Sequence, residues 1–122
     1  MNERKIFVLD DEADLVDALA GILSMTYTVK AFTDPTLALA ALADTPDVHA
    51  VLCDLNFPGF DGRRVYETLL EQGWPARQRF IVMTGGSAHY EGSAFFKQEG
   101  VPVLEKPFRI EELIRVLETR GA

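Results

Sequence analysis

Side chains capable of chemistry stand at the ends of four short apolar segments. Asp10 and Asp11 follow the segment "KIFVL", and Asp54 closes the segment "AVLCD". Thr84 closes "RFIVMT", and Lys106 follows "VPVLE". Each residue alone has an ordinary structural explanation, as a helix cap, a strand end or a solvated amine. Together they form a set of acid, hydroxyl and amine groups that one cleft could hold.

Such a set of groups indicates a site for phosphoryl transfer. Three carboxylates in one cleft repel one another and raise at least one pKa unless a cation lies among them. The candidate ligands are all oxygens, so a hard ion such as Mg²⁺ fits and zinc does not. Lys106 offers a positive charge suited to a phosphoryl group, Thr84 a hydroxyl donor and Asp54 a carboxylate nucleophile.

The elements that must position these groups alternate along the chain. Short apolar runs, which are typical of strands, are separated by amphipathic runs, which are typical of helices. This alternation predicts strand–helix units around a parallel sheet. The first and fourth strands are almost continuously apolar, which indicates that helices cover both faces of the sheet. The five predicted strands have the sequences "KIFVLD", "TYTVKAF", "AVLCD", "RFIVMT" and "VPVLE".

Five helices are predicted after the five strands. The first has leucine and isoleucine at helical spacing, and Asp11 with Asp14 is expected to cap its start. The second begins at Asp34-Pro35, an N-cap followed by proline at the first helical position. Gly92 weakens the fourth helix, which is therefore expected to be short or mobile. The last three helices cover "GRRVYETLLEQ", "AHYEGSAFFKQE" and "RIEELIRVLETR".

The short connections between these units restrict the topology. Right-handed crossovers leave only doubly wound sheets, and we expect a single domain over residues 1–122. Ligands of such sheets bind beyond the carboxyl ends of the strands, where the strand order reverses. Asp54 is then expected to be the last residue of its strand, at the rim of the sheet, before a turn at Pro58-Gly59.

Composition and charge exclude several classes of function. A formal charge of −7 and a pI near 4.7 argue against direct binding of nucleic acid, which needs clustered Lys and Arg. The single Cys53 cannot form an internal disulfide and is expected to pack as a small core residue. The N-terminal apolar run is too short for a signal peptide or for membrane insertion. A cytoplasmic location is expected.

Four motifs, in register along nearly the whole chain, resemble the receiver domains of two-component response regulators. The matching stretches are "VLDDE", "LCDLNFPGFDG", "IVMTGG" and "LEKPF". The resemblance implies an α/β, flavodoxin-like (βα)5 three-layer sandwich with a parallel five-stranded sheet in the order 2-1-3-4-5. It also implies that Asp54 accepts a phosphoryl group from a sensor histidine kinase or a histidine phosphotransfer protein.

The resemblance assigns further roles at the site. Asp11 and Asp54 are expected to ligate Mg²⁺ directly, Asn56 through its backbone carbonyl, and Asp10 largely through water. Such a protein is a phosphoacceptor that assists its own phosphorylation and is not a conventional turnover enzyme.

Lys106 and Thr84 are expected to bind the phosphoryl oxygens, and the Lys106-Pro107 bond is expected to be cis. One position departs from the family's pattern. Many receivers carry Tyr or Phe three residues before the lysine, where this chain has Val103. We expect the face around the fourth helix and fifth strand to switch weakly or by another route.

Three alternatives fit the sequence less well. A Mg²⁺-dependent phosphatase of the haloacid-dehalogenase type would place its nucleophile after the first strand, with a second Asp where this chain has Asn56. A flavodoxin would bind a flavin phosphate, which "DDEAD" would repel. A degenerate receiver would act as a phosphorylation-independent binding module. For a working receiver we expect output through contacts with a downstream protein, and an amphipathic face of the fourth and fifth helices is available for a homodimer.

Overall fold

The computed structural model describes residues 4–57, 60–85 and 90–119 of the chain. Seven strands, numbered in chain order, are present in this part. Five of them form one parallel sheet, and the other two pair as a small antiparallel ribbon beside it. The strands are β1 (Lys5–Leu9), β2 (Thr28–Phe32), β3 (Ala50–Asp54), β4 (Asn56–Phe57), β5 (Phe60–Asp61), β6 (Phe80–Thr84) and β7 (Val103–Glu105).

Six helices lie in the described residues. Five of them match the five predicted helices, and the extra one is a single turn between the third predicted helix and β6. The helices are α1 (Ala13–Leu23), α2 (Pro35–Ala43), α3 (Gly62–Glu71), α4 (Ala76–Arg79), α5 (Tyr90–Gln98) and α6 (Ile110–Thr119). The fourth and fifth helices of the sequence prediction are therefore α5 and α6.

The large sheet has the order β2-β1-β3-β6-β7, and each neighbouring pair is parallel. Counting only these five strands gives 2-1-3-4-5, so the predicted flavodoxin-like topology is confirmed. The registers align Leu9 with Cys53, Asp54 with Met83 and Thr84 with Glu105. The carboxyl ends of the central strands therefore lie side by side.

Helices cover both faces of the sheet, as the apolar runs in β1 and β6 predict. Alternate residues of each strand point to opposite faces, so the sheet divides the core into two clusters. Phe7, Val51 and Val82 belong to the cluster that packs against α2, α3 and α5. Ile6, Leu52 and Ile81 belong to the cluster that packs against α1 and α6. This is the predicted three-layer sandwich.

The helix starts show one correct cap and one wrong one. The Asp34 side chain accepts a hydrogen bond from the Thr36 N–H at 2.8 Å, which confirms the predicted start of α2. The prediction for α1 is wrong, since its N-cap residue is Glu12 and not an aspartate. Asp11 does not cap because its carboxylate lies instead with those of Asp10 and Asp54.

Two shorter findings complete the fold. Helix α5 runs over nine residues and includes Gly92, so the glycine does not interrupt it. Across the described ranges, every helix is too short or too polar to traverse a lipid bilayer.

Candidate functional site

The parallel registers bring four of the predicted site residues to one edge of the sheet. Asp10 directly follows β1, Asp54 ends β3, Thr84 ends β6, and Lys106 directly follows β7. The backbone also joins neighbouring strands here, since the Lys106 N–H donates to the Thr84 carbonyl at 2.8 Å. The prediction that Asp54 is the last residue of its strand is confirmed.

Three carboxylates converge at this edge. One oxygen from each of Asp10, Asp11 and Asp54 lies within 4.8 Å of the other two. Asp10 and Asp54 are buried, whereas Asp11 is exposed. Like charges this close are unfavourable in a partly buried site, and a hard divalent cation with oxygen ligands would relieve them. The donor set therefore fits Mg²⁺ and carries no soft ligand that would select zinc.

Lys106 is the counter-charge of this cluster. Its Nζ atom lies 2.7 Å from Asp10 Oδ2 and 3.6 Å from Asp54 Oδ1. Burial, the largest single effect, lowers the pKa of Lys106, but the hydrogen bond to Asp10 and the nearby carboxylates outweigh burial and raise this pKa. The amine is therefore charged at neutral pH and held close to the phosphoacceptor candidate.

Glu12 also belongs to this site, and sequence reasoning did not assign it a role. Its backbone N–H donates to Asp10 Oδ1 at 2.9 Å, and its Oε1 lies 3.4 Å from Lys106 Nζ. The signal was present in the quoted motif "VLDDE", where a third acid follows the aspartate pair. Spacing alone could not show that this side chain reaches a lysine 94 residues away.

Thr84 contributes a buried hydroxyl at this edge. Its Oγ1 atom is buried, and none of the residues that the structure describes accepts or donates a hydrogen bond to it. A buried hydroxyl usually has a hydrogen-bond partner, and its absence costs about 1–3 kcal/mol. This hydroxyl, at the same edge as the carboxylates, is available to a group that enters the cleft.

The backbone around Asp54 is held by a close approach from α3. The Gly62 N–H donates to the Leu55 carbonyl at 2.7 Å. A Cβ atom at position 62 would lie 2.8 Å from the Asp54 carbonyl oxygen and 3.0 Å from Leu55 Cα. Only glycine fits here without moving the end of β3. Sequence reasoning quoted Gly62 in a motif but did not identify this role.

Of the remaining predicted features, only some fall on residues that the structure describes. The backbone of Asn56 lies in β4, paired with Asp61, and its side chain is outside the description. The predicted Pro58-Gly59 turn lies outside the described residues. The Lys106-Pro107 bond is cis, as expected. Val103 is half-buried in β7 and packs against the core cluster on the α2, α3 and α5 side, as an ordinary strand residue would.

Comparison with known proteins finds relatives in sequence and in structure. The family model described as the response regulator receiver domain matches residues 6–118. The chain is 34% identical over 118 residues to the DNA-binding transcriptional regulator NtrC of Salmonella typhimurium, covering 93% of this chain and 24% of that protein. It is 29% identical over 115 residues to the transcriptional regulatory protein QseB of Escherichia coli O157:H7, covering 93% and 51%. The chain thus spans about half or less of the length of these relatives.

Solved structures share the fold. The crystal structure of a response regulator receiver domain protein from Clostridium thermocellum has a TM-score of 0.85. The two sequences are 19% identical, and the match covers 94% of this chain and 91% of that one. At this identity the likeness establishes the architecture alone.

Proposed function

Because the chain belongs to the family of response regulator receiver domains, we propose that Asp54 accepts a phosphoryl group in a Mg²⁺-dependent reaction and that the protein signals by a change of conformation. One observation carries this proposal. Three carboxylates, the Lys106 amine and the buried Thr84 hydroxyl, which has no hydrogen-bond partner among the described residues, meet at one edge of the sheet. The donor is a phosphohistidine on a sensor histidine kinase or a histidine phosphotransfer protein.

The transfer itself is a substitution at phosphorus. A carboxylate oxygen of Asp54 forms a bond to the phosphorus atom, and the bond from phosphorus to the donor imidazole breaks. The imidazole keeps the electron pair and takes a proton, while Asp54 becomes an acyl phosphate. The protein thus acts as a phosphoacceptor and not as a conventional turnover enzyme.

The residues at the site bind and orient the reacting groups. Asp54 presents its carboxylate from a strand end, where the backbone contact with Gly62 fixes its position. Lys106 neutralises the phosphoryl oxygens, and Thr84 donates its hydroxyl to them. Asp10, Asp11, Asp54 and the backbone carbonyl of Asn56 would hold Mg²⁺. When bound, this ion supplies charge neutralisation at the carboxylates and at the phosphoryl oxygens.

The free energy of these contacts is large enough to shift the protein between two conformations. Moving a population from 1:99 to 99:1 takes about 5.5 kcal/mol of differential binding. Charge-assisted hydrogen bonds contribute about 1.5–3 kcal/mol each, so two or three of them are of the required size. Lys106, Thr84 and one backbone amide are enough in principle.

The context of the domain is part of the proposal. Residues 1–122 form one receiver domain that acts in the cytoplasm, passes its signal to a downstream protein and does not itself contact nucleic acid. The α5 and α6 faces offer a surface for a homodimer. The DNA binding in the name of NtrC belongs to a protein of which this chain covers 24%.

Intact-protein mass spectrometry tests the proposal. The wild type and Asp54→Ala are incubated with acetyl phosphate, with and without Mg²⁺. We expect a phosphoryl mass gain only in the wild type with Mg²⁺. A gain in Asp54→Ala would show that another residue is the acceptor. No gain under any condition would favour the degenerate binding module, and rapid steady release of phosphate without a detectable adduct would favour the phosphatase.

A further inference from the structure

Glu12 occupies the N-cap position of α1 without capping it. Its backbone is extended, with φ −86° and ψ 98°, and its side chain makes no capping hydrogen bond. Glutamate is not among the residues preferred at this position, where Ser, Thr, Asp and Asn lead. The carboxylate reaches instead to 3.4 Å from the Nζ atom of Lys106. This side chain therefore contacts Lys106 and does not cap the helix.

Glu12 contacts both members of the Asp10–Lys106 pair. Its backbone N–H holds Asp10 Oδ1 at 2.9 Å, and Asp10 Oδ2 holds the Lys106 amine at 2.7 Å. The Glu12 carboxylate approaches the same amine from the solvent side, since its side chain is 63% exposed and that of Lys106 is 17% exposed. In this arrangement Lys106 Nζ is 3.6 Å from Asp54 Oδ1, beyond hydrogen-bond distance.

In the proposed function Lys106 binds the phosphoryl oxygens on Asp54, so part of its contact with Asp10, at 2.7 Å, would be exchanged for contact with those oxygens. Any contact made only in the Asp10-facing position stabilises the unphosphorylated state and opposes that exchange. We propose that Glu12 is a positioning residue that holds Lys106 in its Asp10-facing position and thereby weakens phosphoryl binding at Asp54. This inference rests on the proposed function of the site.

Two substitutions distinguish the effect of the length of the Glu12 side chain from the effect of its charge. Glu12→Gln removes the charge and keeps the length of the side chain. Glu12→Asp keeps the charge, but its shorter side chain favours capping of α1 and does not reach Lys106. Glu112→Gln is the matched control, since Glu112 is an exposed acid in the first turn of α6 and its side chain forms no ion pair in the described part of the chain.

The probe is beryllofluoride, a stable mimic of the phosphoryl group, titrated calorimetrically in excess Mg²⁺. Both Glu12 variants are expected to bind it about two- to fivefold more tightly than the wild type, the size expected for loss of a partly exposed ion pair. Glu112→Gln is expected to match the wild type. The melting temperature of Glu12→Asp is expected not to fall below that of the wild type, because an aspartate can cap α1, whereas a general loosening of the site would lower it.

Three results would overturn the inference. Unchanged or weaker binding in both Glu12 variants would show that Glu12 does not restrain Lys106. Tighter binding in Glu12→Gln but not in Glu12→Asp would assign the effect to charge alone, and equal tightening in Glu112→Gln would assign it to net charge. Failure of the wild type itself to bind beryllofluoride would instead count against the proposed function, so the two failures are distinguishable.

Discussion

Asp10 is fully buried, and the Lys106 amine lies 2.7 Å from its Oδ2 atom. A buried carboxylate that loses its cation keeps the cost of desolvation without the compensating attraction. The pair is therefore a structural element of the domain as well as part of the proposed site. Loss of the Asp10–Lys106 pair is therefore expected to lower stability even when the protein is not phosphorylated.

Lys106→Met is expected to lower the free energy of unfolding by about 1.5–3 kcal/mol in the absence of Mg²⁺. The methionine keeps most of the aliphatic chain, so the loss reports the charge and its hydrogen bond. Added Mg²⁺ is expected to stabilise this variant more than the wild type, because a divalent ion replaces the missing counter-charge. Urea unfolding with and without Mg²⁺ measures both effects. A variant as stable as the wild type without Mg²⁺ would contradict this account of Asp10.

At the scale of elements, two glycines in helices have opposite roles. Gly21 lies on the exposed side of α1, and a Cβ atom there would meet nothing within 4 Å. Gly62 begins α3, and a Cβ atom there would lie 2.8 Å from the backbone oxygen of Asp54. The first position gains from alanine through helix propensity alone, whereas the second would force the end of β3 to move.

Gly21→Ala is expected to raise the free energy of unfolding by about 0.5–1 kcal/mol. Gly62→Ala is expected to lower it by about 1–3 kcal/mol and to weaken beryllofluoride binding, since the Asp54 backbone shifts. Chemical denaturation of the two variants beside the wild type gives the comparison. If both alanines stabilised the protein equally, the close contact between α3 and β3 would not exist in solution.

Three helices are joined by one polar cluster on the α3 side of the sheet. The Tyr66 hydroxyl of α3 donates to Glu99 Oε1 at 3.0 Å, just beyond the end of α5. Arg77 of α4 forms an ion pair with the same carboxylate oxygen at 3.3 Å. Burial and the acceptor Glu99 raise the pKa of Tyr66 above its ordinary value of 10.0.

The raised pKa of Tyr66 makes its contribution to stability depend on pH in the alkaline range. A group whose pKa is raised in the folded state contributes stability that is complete below its unfolded pKa and is lost as the pH rises through the folded pKa. Tyr66→Phe is therefore expected to be less stable than the wild type by a constant amount from pH 7 to about pH 10, with the difference shrinking above that. Thermal melts of the two proteins from pH 7 to above pH 10 measure this difference. A difference that grew with pH would mean that the hydroxyl is not buried against Glu99.

At the scale of the whole molecule, repulsion within the acidic cluster lowers the stability of the folded protein when no metal is bound. Asp54→Asn is expected to raise the melting temperature without metal, because it removes one of three neighbouring carboxylates. Mg²⁺ is expected to stabilise the wild type more than Asp54→Asn, because the variant binds the ion less tightly. Scanning calorimetry at fixed Mg²⁺ concentrations measures both. Equal stabilisation of the two proteins would place the metal elsewhere.

The doubly wound parallel sheet was predictable because it follows from patterns that are local in sequence, whereas its strand order was implied only by the resemblance to receiver domains. Apolar runs of strand length, the Asp34 cap and the alternation of elements together fix a parallel sheet with helices on both faces. The convergence of Asp10, Asp54, Thr84 and Lys106 then follows from the rule that sites form at the carboxyl ends of parallel strands.

The features that were missed depend on contacts between distant segments. Whether Glu12 caps α1 or reaches Lys106 depends on the position of the β7 end, which no local pattern contains. The need for glycine at position 62 arises from the closeness of α3 to the backbone of β3. The single turn of α4 and the two-residue strands β4 and β5 are too short to give a periodic signal.

The central claim is that Asp54 is the phosphoacceptor, and the most direct measurement locates the phosphoryl group on the chain. The protein is incubated with acetyl phosphate and Mg²⁺, reduced with borohydride, which converts an aspartyl phosphate to homoserine, and mapped by peptide mass spectrometry. We predict homoserine at position 54 and at no other aspartate, with none formed when Mg²⁺ is omitted. Homoserine at position 10 or 11 in place of 54 would contradict the account.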